Sequence, residues 1–290
     1  MQGFNVALNV SFFAIDSMSL SNAPLGHSVD YPAHYDAGLL FPIARSHNRA
    51  NLSLSGSLPF AGVDIWNAYE LSWLDHKGKP QVGMATFRVP ADSPNIIESK
   101  SFKLYLNSFN QTRLESMAQL RDYLVRDLSS AAGSDVGVDL ILPDRFDQLA
   151  MRELDGEYID SQDIAIDTYT PDSSLLRCTS GPVVSETLAS RLLKSNCPVT
   201  GQPDWASVQV NYRGQPLDRA ALLRYIVSFR DHAEFHEHCV ERIFTDIMTA
   251  CQPEQLTVYA RYTRRGGLDI NPWRSNTGAL APEDVRMARQ

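Results

Sequence analysis

A cysteine and an aspartate seven residues apart, Cys197 and Asp204, bracket a run rich in Pro and Gly. A thiol whose thiolate is favoured is a nucleophile, and a carboxyl beside it can carry a proton to or from the group it attacks. Upstream, Val184 to Leu193 reads as a strand. Downstream, Ala206, Val208, Val210 and Tyr212 alternate with Ser207, Gln209 and Asn211, the period of a half-buried strand. Both residues therefore stand at the ends of a loop held by a sheet, where chemistry is usually placed. A cysteine packed in a turn, with Asp204 opening the next strand, fits the same spacing, and both readings stand at this point.

Other groups carry reactive side chains. His236-Glu237 begins a run in which Val240, Phe244 and Met248 continue the face of His236 at i+4 steps, so an ionisable pair lies in line with a core stripe and can face a pocket. The helix dipole and solvent account for the same two residues. Glu98-Ser99-Lys100 opens another helix, where amides, a hydroxyl and a lysine could hold an anion or form a solvated first turn. Arg261, Arg264, Arg265 and Gly266-Gly267 make a basic, flexible stretch that also reads as a hairpin turn. His232, His236 and His238 raise the question of a metal. Rings at i and i+2 point to different sides of a helix, no His-Glu-x-x-His occurs, and the cysteines are not clustered, so no metal is expected. G-x-G-x-x-G and G-x-x-x-x-G-K are both absent, so any nucleotide is held without a Rossmann or P-loop device.

The elements that must position these groups follow from periodicity. Residues 1–60 read as an irregular arm with nothing catalytic, its His27, His34 and His47 at the surface. A hairpin carries Tyr69, Leu71 and Trp73, turns at Asp75 to Lys79 and returns over Val82 to Val89. Phe102, Tyr105, Leu106 and Phe109 make one helix face. Thr112 and Glu115 predict a capping box for the next helix, with Met117, Leu120, Leu124 and Leu128 on its face and Gly133 at its end. Strands follow at Val136 to Leu142 and at Ile164 to Thr168. The second half has its strands around the cysteine loop, a helix with Leu222, Tyr225, Ile226 and Phe229, a helix opened by Asp231 and Glu234, and a strand over Leu256 to Tyr262. Tyr105-Leu-Asn-Ser-Phe109 and Tyr225-Ile-Val-Ser-Phe229 align at an offset of 120 residues, and the order of elements matches. An internal duplication is expected, each half ββααββ: an antiparallel sheet with two helices on one face, α+β in class.

Composition bounds the function. The chain has 290 residues, 43% hydrophobic and 21% charged, with a net charge of -8, and its pI is about 5.3. That balance opposes broad binding to a phosphate backbone, so no nucleic-acid partner is expected, while a small basic pocket stays possible. No apolar run approaches the ~18 residues of a membrane span. No Lys or Arg precedes Arg45, unlike a secretory signal, and Cys178, Cys197, Cys239 and Cys251 show no CxxC spacing, so a reduced, cytoplasmic protein is expected.

Taken together these segments resemble the long form of the NADPH-dependent 7-cyano-7-deazaguanine reductases, the nitrile reductases of queuosine biosynthesis. The family signature E-(S/L)-K-(S/A)-hydrophobic-K-(L/Y)-aromatic is met by Glu98 through Tyr105, the cysteine and its acid by Cys197 and Asp204, the His-Glu pair by His236-Glu237, and the Arg-Gly site by Arg265-Gly266. The resemblance runs from about Asp64 to Asn276 and is weakest in the arm. It implies a tandem tunnelling fold, divided at 1–178 and 179–290, that closes into barrels by assembling sheets, with a site between halves or subunits and a homodimer. It implies Cys197, Asp204 and His236 in catalysis, Ile97, Glu98, Ser99, His236 and Glu237 around the base, and Ser99, Lys100, Arg265 and Gly266 around NADPH. A metal-dependent pterin or GTP cyclohydrolase-like hydrolase on the same fold and a non-catalytic purine-binding protein are the alternative readings.

Overall fold

The computed structural model describes residues 31–290 except Ser53 and Ser55, so His27 lies outside the described residues. In chain order the elements are β1 (Pro42–Ala44), α1 (Arg45–Ala50), β2 (Ala61–Leu74), β3 (Pro80–Pro90), β4 (Asn95–Ile97), α2 (Ser99–Asn107), α3 (Met117–Ala132), β5 (Gly137–Ile141) and β6 (Glu157–Tyr158), then β7 (Val184–Asn196), β8 (Pro203–Gly214), α4 (Arg219–Ser228), α5 (His236–Cys251), β9 (Gln255–Tyr262) and β10 (Leu268–Ser275). The class is α+β, as expected. One sheet runs β5-β3-β2-β10-β9-β8-β7-β6, and β5 and β6 are its edges, so it is open. Every pairing in it is antiparallel except β6 with β7.

The apolar faces read from spacing are the ones buried. Phe102, Tyr105 and Phe109 of the first half pack with Leu120, Leu124 and Leu128 over Trp66, Phe87 and Val138. Leu222, Tyr225 and Phe229 pack with Val240, Ile243 and Phe244 over Val208, Val258 and Tyr262. These are two separate clusters, one under each helix pair. The duplication extends to fine geometry. The Tyr105 and Phe109 rings meet at 5.4 Å and 84°, and Tyr225 and Phe229 at 5.4 Å and 86°. Ser108 Oγ donates to the Tyr105 carbonyl at 2.6 Å, and Ser228 Oγ to the Tyr225 carbonyl at 2.6 Å.

The halves join where β10 pairs with β2, from Leu268 opposite Ala68 to Ser275 opposite Ala61. Gly62 is required there: a Cβ would stand 2.4 Å from the Trp273 carbonyl oxygen. Behind the joint, buried Arg274 reaches Asp64 at 2.8 Å and Glu241 at 2.9 Å. Arg45 pairs with Asp64 at 2.6 Å and Arg49 with Glu241 at 2.7 Å. Burial alone would raise both carboxyls; the charge of Arg274, helped by Arg45 and Arg49, outweighs it and holds both down, Glu241 at about 2.

Several expectations are corrected. The arm is not irregular throughout: α1 supplies Arg45 and Arg49 to this network, although His34 and His47 are exposed as expected. No strand forms over Ile164–Thr168; after β5 the chain forms β6, which pairs with the second half. Thr112 and Glu115 do not cap α3. The Thr112 hydroxyl is committed to Ser108 and the Tyr35 amide, while Ser116 is the N-cap, its Oγ accepting from the Gln119 amide at 3.2 Å. Met117 on the expected inner face is 42% exposed. Asp231 and Glu234 form no box either: α5 starts after Phe235 with no side-chain cap, because Asp231 lies in a 3-10 turn and Glu234 bonds His232 and Arg242.

Candidate active site

The cysteine loop is anchored by backbone. β7 and β8 pair up to Asn196 opposite Pro203, which puts Ser195 opposite Asp204. The Cys197 amide donates to the Gln202 carbonyl at 2.9 Å, and Gly201 donates back to Cys197 at 3.0 Å. Asn196 donates to the His232 carbonyl at 2.8 Å and accepts from the Glu234 amide at 3.0 Å. The loop is thereby tied to the segment that leads into α5, and His236-Glu237 in the first turn of α5 comes alongside Cys197.

A single cavity is lined by Ile97, Ser99, Cys197, Asp204, His236, Glu237 and Arg265. Seven of the residues singled out from sequence thus meet at one place, at the joint. Cys197 is 3% exposed and Glu237 2%. His236 Nε2 stands 3.3 Å from Asp204 Oδ2, and Arg265 Nη1 3.2 Å from Asp204 Oδ1, so the Asp204 carboxyl lies between an imidazole and a guanidinium. Neither approach is aligned as a hydrogen bond, and His236 Nδ1 and Arg265 Nη1 are buried without a hydrogen-bond partner. Burial, reinforced by the negative charge of Asp64, pushes the Glu237 carboxyl up to about 7; His236 and Arg45 pull the other way. This acid changes charge near neutral pH.

The other residues singled out lie around the cavity rather than on its wall. Glu98 is buried and its carboxylate caps α2, accepting from the Lys100 amide at 2.6 Å and the Ser101 amide at 2.7 Å. Burial pushes its carboxyl up, and those amides pull it back. Of the two readings of this turn, the one that leaves its amides open to an anion fails for these two. Lys100 is half-buried in the same turn. Gly266 and Gly267, with φ of 61° and 81°, turn the chain between β9 and β10, a conformation that glycine adopts without strain. The first half clamps this turn: the Tyr69 amide donates to the Gly267 carbonyl at 2.9 Å, and Arg264 lies over the Tyr69 ring. Arg261, counted with the basic stretch, is instead buried in β9 and bonds Gln290.

Sequence reading missed Trp66, Ile96, Phe235 and Ile270, which line the apolar part of the cavity. Trp66 and Ile270 face each other across the joint, a pairing with no local signal. It also missed that the fold gathers His232, Glu234 and Cys239, whose ligand atoms lie within 4.8 Å of one another. Burial pushes the Cys239 thiol up, Glu234 already accepts from His232 at 2.6 Å, and cationic Arg242 stands 3.3 Å from the same carboxylate. A buried protonated thiol and a neighbouring guanidinium both oppose a bound cation there. No helix among the described residues is long and apolar enough to cross a membrane.

The chain is similar to known proteins over nearly its whole length. Residues 31–140 match a family model described as nitrile reductase, 7-cyano-7-deazaguanine-reductase N-terminal, and residues 203–280 match one described as QueF-like protein. A protein of Bordetella pertussis named NADPH-dependent 7-cyano-7-deazaguanine reductase is 72% identical over 94% of this chain and 100% of its own length. Proteins of the same name from Chromobacterium violaceum and Burkholderia lata are each 58% identical; the first covers 95% of this chain and 99% of its own length, the second 94% and 100%.

Proposed function

The chain belongs to the NADPH-dependent 7-cyano-7-deazaguanine reductase family, and from that premise we propose that it reduces the nitrile of 7-cyano-7-deazaguanine to the primary amine through a thioimide on Cys197. The observation that carries the reading is the meeting of Cys197, Asp204, His236 and Glu237 around one cavity at the joint.

The steps follow from these side chains. The Cys197 sulfur bonds the nitrile carbon as its thiol proton passes to Asp204, and Asp204 hands that proton to the nitrogen as it becomes basic, leaving a neutral thioimide. NADPH, when bound, supplies hydride to carbon, once to the thioimide and once to the imine left when the thiolate departs. Four electrons and two further protons thus convert nitrile to amine, with two NADPH consumed. The burial of Cys197 and Asp204 shields the imine from water between the two reductions. His236, beside Asp204, returns protons to that carboxylate or orients the base. Glu237 as a carboxylate accepts from N–H donors on the pyrimidine edge of the base; Ile97 and Ser99 border the same space, and Glu98 supports it by holding the start of α2. Arg265, a cation that shares the cavity with Ser99, fits an anionic group of NADPH, and Lys100 and the Gly266 backbone are assigned to the same cofactor. The product serves queuosine biosynthesis, and the working unit is a homodimer in the cytoplasm.

NADPH oxidation is followed with and without 7-cyano-7-deazaguanine. Two NADPH consumed per nitrile, and one added substrate mass on the wild-type chain when NADPH is withheld, are expected. Oxidation independent of the nitrile, or the same added mass on Cys197→Ala, overturns the reading.

A further inference from the structure

Tyr262 has no part in the steps above, yet its ring lies flat against His236, centroids 3.8 Å apart and planes within 5°. We propose that Tyr262 is the positioning residue of His236: its ring sets the plane of the imidazole and keeps Nε2 turned toward Asp204. The inference rests on the proposed role of His236.

The final torsion of a histidine is broad and holds no single angle by itself. A hydrogen bond to one ring nitrogen usually fixes it. Here Nδ1 has no hydrogen-bond partner, and Nε2 stands 3.3 Å from Asp204 without hydrogen-bond alignment. The stack is the close contact that remains to define the plane. The Tyr262 hydroxyl is turned to the buried Cys239 and Ser195 side chains, where it makes no well-aligned hydrogen bond; the ring face is what meets His236.

Tyr262 is itself held from the joint. It lies opposite Ala206 in the β8–β9 ladder. Its amide donates to Asn271 Oδ1 at 3.2 Å, and its carbonyl accepts from Gln290 Nε2 at 2.9 Å. Asn271 Nδ2 donates to Asp269 at 2.6 Å, and Asp269 accepts from Asn67 at 3.0 Å and Tyr69 at 2.6 Å. Asn67 and Tyr69 belong to β2 of the first half. Buried, satisfied networks of this kind are rigid, so the strand that carries the plate under His236 is tied through Asn271 and Asp269 to β2 of the first half.

The test uses the full chain with Tyr262→Phe, Tyr262→Leu and Tyr262→Met, the last unbranched and without a ring. Loss of the plane should lower kcat for nitrile reduction by about 10- to 100-fold in the ringless variants, with the nitrile KM within about threefold of wild type. Tyr262→Phe should restore kcat to within about threefold. Equal kcat in the Phe and ringless variants overturns the proposal. A second measurement does not depend on turnover or on the Tyr262 variants folding: in wild-type NMR spectra the His236 ring protons, assigned by their loss in His236→Gln, should lie upfield of those of exposed His34 and His47 through the ring current of Tyr262. Unshifted protons overturn the stack. If wild type neither oxidises NADPH nor takes up the nitrile, the functional reading fails while the NMR result still decides the stack.

Discussion

Glu98 and Asp218 lie 120 residues apart, and each caps the first helix of its half, Glu98 through the Lys100 and Ser101 amides and Asp218 through the Ala221 amide. Ser116 and His236 are also 120 apart, at the start of the second helix. Ser116 caps α3 at the surface; His236 caps nothing and faces the cavity. The first hairpin of each half differs in the same way. In the first half, Asp75 accepts from the Lys77 and Lys79 amides and closes the turn. In the second, the corresponding connection is the Cys197 loop. So the start of the first helix borders the cavity only in the first half, and the start of the second helix only in the second. A duplicated scaffold supplies equivalent positions. Where side chains satisfy the local backbone the position is structural, and unsatisfied groups collect where the halves meet.

The sharpest break between equivalent positions is at the hairpin ends. Cys197→Ala should abolish adduct formation and NADPH oxidation, read by intact mass and absorbance, whereas Asp75→Ala should leave both unchanged. Activity lost in both would make the two turns alike. The next effect concerns the joint. Arg274→Met leaves buried Asp64 and Glu241 short of their shared cation, so denaturant unfolding should show a loss of about 3–5 kcal/mol. A loss below about 1 kcal/mol would mean that the ladder alone holds the halves together.

Glu237 tests the second half's helix start as a binding group. Its carboxyl, pushed up to about 7, accepts from N–H donors at both oxygens only when ionised. Nitrile affinity should therefore rise as pH rises through about 7, and Glu237→Gln should weaken it by about 10-fold and flatten that rise. The sign for folding is the reverse: between the ordinary carboxylate pKa and about 7 the unfolded chain has released a proton that the folded chain keeps, so this group's contribution to stability falls as pH rises. Melts across that window should lose this slope in Glu237→Gln. The smallest effect is at the equivalent position in the first half. Ser116→Ala should cost about 1 kcal/mol in denaturant unfolding and leave kcat unchanged; a fall in kcat would end the division between structural and cavity-facing helix starts.

Much of this is legible in the sequence. Stripes such as Phe102, Tyr105 and Phe109 name a buried face because helical period is local, and the same is true of the alternation in β8 and β9. Helix starts were less legible. Thr112, Glu115, Ser116, Asp231 and Glu234 are all competent caps, and competing hydrogen bonds, from distant Tyr35 to Thr112 and from His232 and Arg242 to Glu234, decided between them. Arg45 and Arg49 fall in the stretch read as an irregular arm, since nothing local shows that Asp64, Glu241 and Arg274 stand inside.

By itself the sequence determined which side chains could do chemistry, that the elements recur at an offset of 120 residues, and the family signature from Glu98 to Tyr105. The tertiary structure alone decided that Ser99 of one half meets Cys197, Asp204, His236 and Glu237 of the other. Alternation tells which face of a strand is buried but not which strand lies beside it. That choice sums many weak cross-strand contacts between distant residues, here β2 against β10, and the cavity exists only once it is made.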